Sequence, residues 1–320
     1  MRSELQSSRE LVAVPRRRIA PWIGGAIVVV VAAMIVQSLV TNPNFQWDVV
    51  ARYFLSGQIL DGIVWTIGLT AASTVIGVVL GTILAVMRRS ASPVLSGAAM
   101  IYIGLFRGTP LLVQLLLWYN LASLYPQLSL GIPFTPVVFI SADTNSVISA
   151  LTAALLGLGL NQAAYTAEIV RAGILSVPAG QLDSASSLGM TRTMTMRRVV
   201  LPQAMRVIIP PLGNETIGLL KTTSLVSVLA MPELLYSAQL IYARTYETIP
   251  MLIVASIWYL IMTGILTSIQ MPLERRFSRG SRSYGATGNR SIAAFVKRAS
   301  SFHARAPLSS NMDSPSTGGR

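Results

Sequence analysis

Four stretches of this chain, 19–40, 62–86, 147–167 and 249–271, contain no charged side chain, and each holds more than 20 residues. A hydrocarbon core of roughly 30 Å is crossed by about 20 helical residues. Only 12% of the chain is charged, where an ordinary soluble domain carries about 25%. A fifth apolar stretch, Val207–Met231, carries Glu215 and Lys221. A sixth, Leu111–Leu124, is short and has to extend toward Pro110 and Leu128. Leu95–Phe106 before it reads as an interfacial segment, with Arg107 between the two reaching headgroups. The expected fold is therefore an all-α integral membrane protein with six transmembrane helices.

Charge sets the orientation. Residues 1–18 hold five Arg, 88–107 three, 171–206 five, and 272–320 eight Arg and one Lys. Across the membrane, Arg52 and Arg244 are the only basic residues, beside Asp48, Asp61, Asp143, Glu233 and Glu247. The positive-inside rule then makes both termini cytoplasmic, in a multi-pass inner membrane protein. Residues 1–18 read as a basic cytoplasmic N-terminus. The span 19–40, longer than a signal-peptide core and followed by no A-x-A site, reads as an uncleaved anchor. Residues 276–320 read as a basic, mostly disordered tail. Within it Ile292, Phe295, Val296, Ala299 and Phe302 fall at helical spacing, which suits a short helix on anionic membrane lipid as well as chance.

The same composition excludes several classes. There is no cysteine, and His303 is the only histidine, so neither Cys/His catalysis nor a thiolate or His-ligated metal site is expected, and no catalytic residue is assigned. The two lysines, Lys221 and Lys297, do not follow glycine, so no Walker loop binds ATP in this chain. No cofactor is implied. Basic residues that flank apolar spans, rather than covering a soluble face, argue against a nucleic-acid partner.

The connection between the fourth and fifth spans is patterned. Ser176 is expected to cap a helix, with Pro178 in its first turn and Asp183 near its positive end. Leu182, Ala185 and Leu188 recur every third residue, Gly189 is a fitting left-handed stop, and a second helical piece runs from Thr191 to an end at Pro202. A short amphipathic helix with a stop on each side suits a groove on a cytosolic partner, or a lipid surface.

These residues resemble a known family. Ala164–Ile174, the run Gly180-Gln181-Leu182-Asp183-Ser184-Ala185, Leu188-Gly189, and Val199-Val200-Leu201-Pro202-Gln203-Ala204 are similar to the permease subunit of bacterial ABC importers, in the branch that takes up polar amino acids. The shared signature is Glu-Ala-Ala, Gly four residues later, nine residues, then Ile-x-Leu-Pro. Here Asp183-Ser184-Ala185, Gly189 and Val199-x-Leu201-Pro202 stand at that spacing, with Asp for Glu and Ser for Ala. Arg107–Gln114 and Leu219–Val228 match the same branch. The resemblance covers 57–275, with a coupling segment at 176–202, and implies a five-helix core to which 19–40 is an added first span; the loop 125–146 is longer than usual.

The resemblance implies two permease subunits, identical or paralogous, around the path, cytosolic ABC ATPases docked on the segment, and an extracytoplasmic substrate-binding protein delivering a polar amino acid. Gly180, Gln181, Asp183, Ser184, Ala185, Leu188 and Gly189 would carry the coupling.

A charge at the bilayer centre costs about 2.5–3.5 kcal/mol on insertion scales, so the polar groups in the spans need partners. Asn214, Gly218 and Lys221 share a helix face, with Glu215 and Thr222 beside it, below a bend expected at Pro210-Pro211. Glu168, Asn214, Glu215, Lys221 and Thr222 are therefore candidates either for the translocation path or for internal pairing, for example Lys221 with Glu168. Gly77 and Gly81 form a small-xxx-small pair that permits close helix approach. Asn214-Glu215-Thr216 lies within a span and is discarded as a glycosylation acceptor. An ion-coupled secondary carrier remains the alternative, and an integral-membrane enzyme lacks the clustered groups it needs.

Overall fold

The computed structural model describes residues 20–132, 135 and 137–278. The basic N-terminus and the periodic stretch 292–302 lie outside them. α1 (Ala20–Thr41) is apolar all round and exposed from Ile23 onward, with no helix among the described residues burying it. Its tie to the rest is Trp47, which donates from Nε1 to Leu39 O at 2.8 Å. A short 3₁₀ turn (Pro43–Phe45), capped by Asn42, leads into α2 (Trp47–Phe54).

α3 (Gly57–Arg88) has 32 residues, about 48 Å of helix. Its buried stripe, Ile59, Ile63, Thr66, Leu69, Thr70, Ser73, Gly77, Gly81 and Ala85, steps by three or four residues. From Leu69 onward that stripe lies on α8 (Ala150–Leu175), whose buried face is mostly small: Ala153, Ala154, Gly157, Gly159, Ala163, Ala164, Ala167; Ile59 and Ile63 pack instead with residues of the last two helices. A Cβ at Gly81 would stand 2.6 Å from Thr166 Cβ and 2.7 Å from Ala163 O, and one at Gly77 would meet Gln162. The small-xxx-small pair thus sits at a close-packed part of the α3–α8 seam.

The expected third span, Leu111–Leu124, is interrupted at Asn120, between Tyr119 and Leu121, and a sharper break precedes it. α4 (Pro93–Gly108) and α5 (Leu111–Tyr119) meet at 103°. Thr109 is extended (φ −114°, ψ 145°) because the Pro110 ring excludes the helical region for the residue before it. One face of Leu95–Phe106 packs on the bundle: Ala99 and Ile103 are buried, and Tyr102 donates to Leu160 O of α8 at 2.9 Å. The carbonyls freed at the break are met by side chains, as apolar surroundings require. Gln114 Nε2 donates to Phe106 O (2.9 Å), Thr109 O (3.1 Å) and Thr109 Oγ1 (2.7 Å), and Asn161 Nδ2 to Phe106 O (2.9 Å).

α6 (Leu121–Leu124) leads to an antiparallel hairpin, β1 (Gln127–Gly131) and β2 (Val138–Asp143), in register Gln127↔Asp143. Asp143 then caps α7 (Thr144–Val147) and Ser149 caps α8. After α8 come α9 (Ala179–Ser187), α10 (Arg192–Thr195) and a π-turn (Met196–Val200) that runs directly into α11 (Leu201–Thr222). A 3₁₀ stretch (Thr223–Leu229) follows, then α12 (Leu234–Thr245) and α13 (Thr248–Ser278). Pro202 does not end the helix. The π-turn passes the ladder to i−5, with Leu201 N–H donating to Met196 O, and Pro202 takes a first-turn position where no N–H is needed.

Among the described residues, α1, α3 and α13 are long and apolar enough to cross a membrane, and five crossings result if each bent helix pair is taken as one. The expected count of six is reached only by adding α8, which has the length but carries Asn161 and Gln162 in its middle.

Candidate functional site

The segment between α8 and α11 is built to stand out from the bundle. Ser176 closes α8 rather than opening the next helix: its N–H goes back to Ala172 O, and its hydroxyl donates to Gly173 O. Pro178, extended at ψ 137°, is the cap of α9, because proline cannot continue the previous helix. At the far end Met190 N–H bonds Ala185 O (3.1 Å) and Gly189 N–H bonds Ser186 O (2.9 Å), with Gly189 at φ +70°. This is a Schellman stop, and it needs a residue that tolerates the left-handed region.

Of the expected apolar face, only Ala185 is buried, together with Val177 before the helix. Leu188 is 81% exposed and Leu182 39%. Gln181, itself exposed, accepts a hydrogen bond from Gln203 of α11. Gly180, Asp183 and Ser184 face out, and among the described residues the Asp183 carboxylate receives no hydrogen bond. The arrangement leaves one acidic and two apolar side chains on a short helix, with nothing among the described residues to cover them.

The polar groups within the helices fall into two sets. Arg107, Tyr165, Glu168, Ile169, Ala172, Val207, Pro211 and Glu215 line one cavity of about 330 Å³. The Arg107 guanidinium lies 5.2 Å from the centroid of the Tyr165 ring, a cation–π contact. The suggested Lys221–Glu168 pair is absent. Glu168 instead binds Arg171, one turn along the same helix, at 2.8 Å from Nε and 2.6 Å from Nη2, because i and i+3 are neighbours on the helix surface. Lys221 is exposed, away from the cavity, and its side chain has no partner among the described residues. Asn214 accepts from Gln270 of α13 (3.1 Å), and the Thr222 hydroxyl caps Leu219 O (3.0 Å). Glu168 and Glu215 are therefore brought together, and Asn214, Lys221 and Thr222 are not.

Sequence reasoning placed Glu233 in an outer loop, yet it is fully buried. Its carboxylate accepts from Leu235 N–H (2.9 Å), Tyr236 N–H (2.7 Å) and Tyr259 Oη (2.8 Å), while Leu234 N–H bonds Thr66 Oγ1 (3.1 Å). The signal available was an acid directly after Pro232 and before an apolar run, the pattern of a helix cap. Among the described residues no group of His, Cys, Asp and Glu could hold a metal ion.

Residues 77–279 match the model of the family described as binding-protein-dependent transport system inner membrane component. The arginine transport system permease protein ArgU of Corynebacterium glutamicum is 46% identical over 83% of each chain. The L-cystine transport system permease protein TcyB of Bacillus subtilis is 38% identical over 76% of this chain and 95% of its own. A crystal structure of an amino acid ABC transporter with histidines is 39% identical, covering 68% of this chain and 94% of its own at a TM-score of 0.58. The chain belongs to the family of binding-protein-dependent transport system inner membrane components. It is a permease of the ABC importer class, a multi-pass inner membrane protein and not an ion-coupled secondary carrier.

Proposed function

We propose that this chain lines the translocation path of an ATP-driven importer for polar amino acids and transmits ATP-driven motion through residues 176–202. The observation that carries the reading is the uncovered α9: Asp183, Ser184 and Leu188 face out from a helix stopped rigidly at Gly189. A separate cytosolic ATPase docks there, ATP closure pushes α9, and the bundle rocks between inward-open and outward-open states. A second permease subunit, identical or paralogous, completes the path, and an extracytoplasmic binding protein supplies the substrate. Both termini are cytoplasmic, as the concentration of arginines around 171–206 and 272–320 requires. Six crossings satisfy that orientation, with 57–275 as the permease core, 19–40 as an added span and 276–320 as a cytoplasmic tail.

The amino acid class rests on the named relatives, which transport arginine and cystine. The cavity between α4, α8 and α11 fits it: Arg107 and Glu215 offer one guanidinium and one carboxylate to a zwitterion. Lys221, exposed and without a partner among the described residues, belongs to the wall facing the second subunit, while Asn214 and Thr222 are engaged within the chain. A photocrosslinker at Ser184 is expected to capture a nucleotide-hydrolysing subunit, and Asp183→Arg to abolish uptake in a chain that still inserts. Capture of nothing, together with normal uptake by the Arg variant, would overturn the coupling role. Uptake should stop on ATP depletion and continue when the proton gradient is dissipated.

A further inference from the structure

Where α11 leaves the π-turn, Leu201, Pro202, Met205 and Arg206 form one wall of a cavity of about 460 Å³; Arg276 and Phe277, near the end of α13, form the other. Two guanidiniums thus border one cavity from two different helices. No acidic residue lines it. Among the described residues neither arginine makes an ion pair, the salt bridge there being Arg171–Glu168. The carboxylate nearest in sequence, Glu274, is engaged by Gln270 Nε2. Arginine stays charged at any physiological pH, and its planar fork matches a phosphate in bidentate fashion. Two such forks with no counter-charge of their own select an anion.

The rest of the lining selects the kind of anion. Leu201, Met205 and Phe277 are apolar, and Leu201 and nearby Leu273 are 45% and 46% exposed. The cavity also sits at the Arg-rich end of α13, where a long apolar helix gives way to charge, which is the depth of lipid headgroups. A ligand with a phosphate at one end and hydrocarbon at the other satisfies both halves of the lining. We propose that this cavity holds the phosphodiester of an anionic phospholipid, clamped between Arg206 and Arg276, with its glycerol and first methylenes against Met205 and Phe277. The bound lipid ties the root of the segment preceding α11 to α13. That root is also held by buried Val200 and by Ala204 and Ile208, buried toward α8, while α9 itself is held by Val177, Ala185 and the Gln181–Gln203 bond, so the lipid stiffens the attachment of α9 to the bundle.

The test is native mass spectrometry of the full-length chain in detergent, titrated separately with phosphatidylglycerol, phosphatidylcholine and inorganic phosphate. One phosphatidylglycerol should be retained per chain, with phosphatidylcholine and free phosphate held at least about tenfold more weakly. R206Q/R276Q should lose about tenfold or more in phosphatidylglycerol affinity, as expected for removing charge-assisted hydrogen bonds. R88Q/R89Q, equal in charge change but outside the cavity, should keep it. R276Q alone, an exposed position on α13, gives the same readout if the double variant fails to fold. Equal retention of the two lipids, or equal loss in both double variants, overturns the proposal. So does free phosphate that binds as tightly as phosphatidylglycerol and displaces it. A cavity variant that keeps the lipid but loses copurifying ATPase assigns the arginines to a protein partner and likewise overturns it.

Discussion

Two carboxylates, Glu233 and Asp183, stand at the start of α12 and within α9, and the chain treats them in opposite ways. Glu233 is enclosed by α3, α12 and α13, and three donors converge on it. Asp183 stands in solvent on a helix that touches the bundle chiefly through Ala185 and Val177. A buried carboxylate without partners would be very costly, so Glu233 is tolerable only as the fixed point from which α12 starts. Asp183 has little to lose by being exposed and keeps its hydrogen-bonding capacity for another molecule. One region has used its polar groups internally to fix helices together; the other has withheld them.

That contrast can be broken by measuring stability, and the largest effect belongs to Glu233. Glu233→Leu strands Leu235 N–H, Tyr236 N–H and Tyr259 Oη, and each buried orphan costs about 1–3 kcal/mol. A large fall in the melting midpoint of the purified protein is expected, smaller in Glu233→Gln, which keeps an acceptor. Next comes the seam between α3 and α8. Gly81→Val forces a side chain against Thr166 and the Ala163 carbonyl, and overpacking of this kind costs about 1–3 kcal/mol, read in the same melt.

Gly189→Val places a β-branched residue at φ +70°, a left-handed cost of about 1–2 kcal/mol. The strain falls on the α9 stop, so limited proteolysis should cut 176–202 faster while the global midpoint hardly moves. The smallest effect on stability is Asp183→Ala, within about 0.5 kcal/mol as for exposed sites generally, accompanied by loss of ATP-driven uptake. If Asp183→Ala melted as early as Glu233→Leu, the two carboxylates would not differ in the way described here.

The long charge-free windows were readable because lipid forbids charge over a fixed length; α1, α3 and α13 needed nothing else. The stop at Gly189 was equally local, since few residues but glycine accept that backbone. The bend at Pro110 was half visible: proline announced a break, but the groups that make it tolerable, Gln114 and Asn161, are 47 residues apart in sequence. Glu233 was misplaced for the same reason, as its burial depends on Tyr259 and Thr66 far along the chain. Glu168 was the opposite case. Its partner Arg171 was already three residues away, and a distant lysine was preferred over a local answer. Ser176 and Pro202 were assigned to the wrong ends of their helices, because an extended Pro178 and a widened turn at 196–200 redistribute the caps.

At Gly77 and Gly81 α3 carries no side chain, so Gln162 and Thr166 of α8 sit directly against its backbone and the two helices interlock. They therefore behave as one shaft rather than as two sliding rods. Only Ser176–Pro178 separates the end of α8 from the start of α9. A push arriving at Val177 turns both long helices or neither.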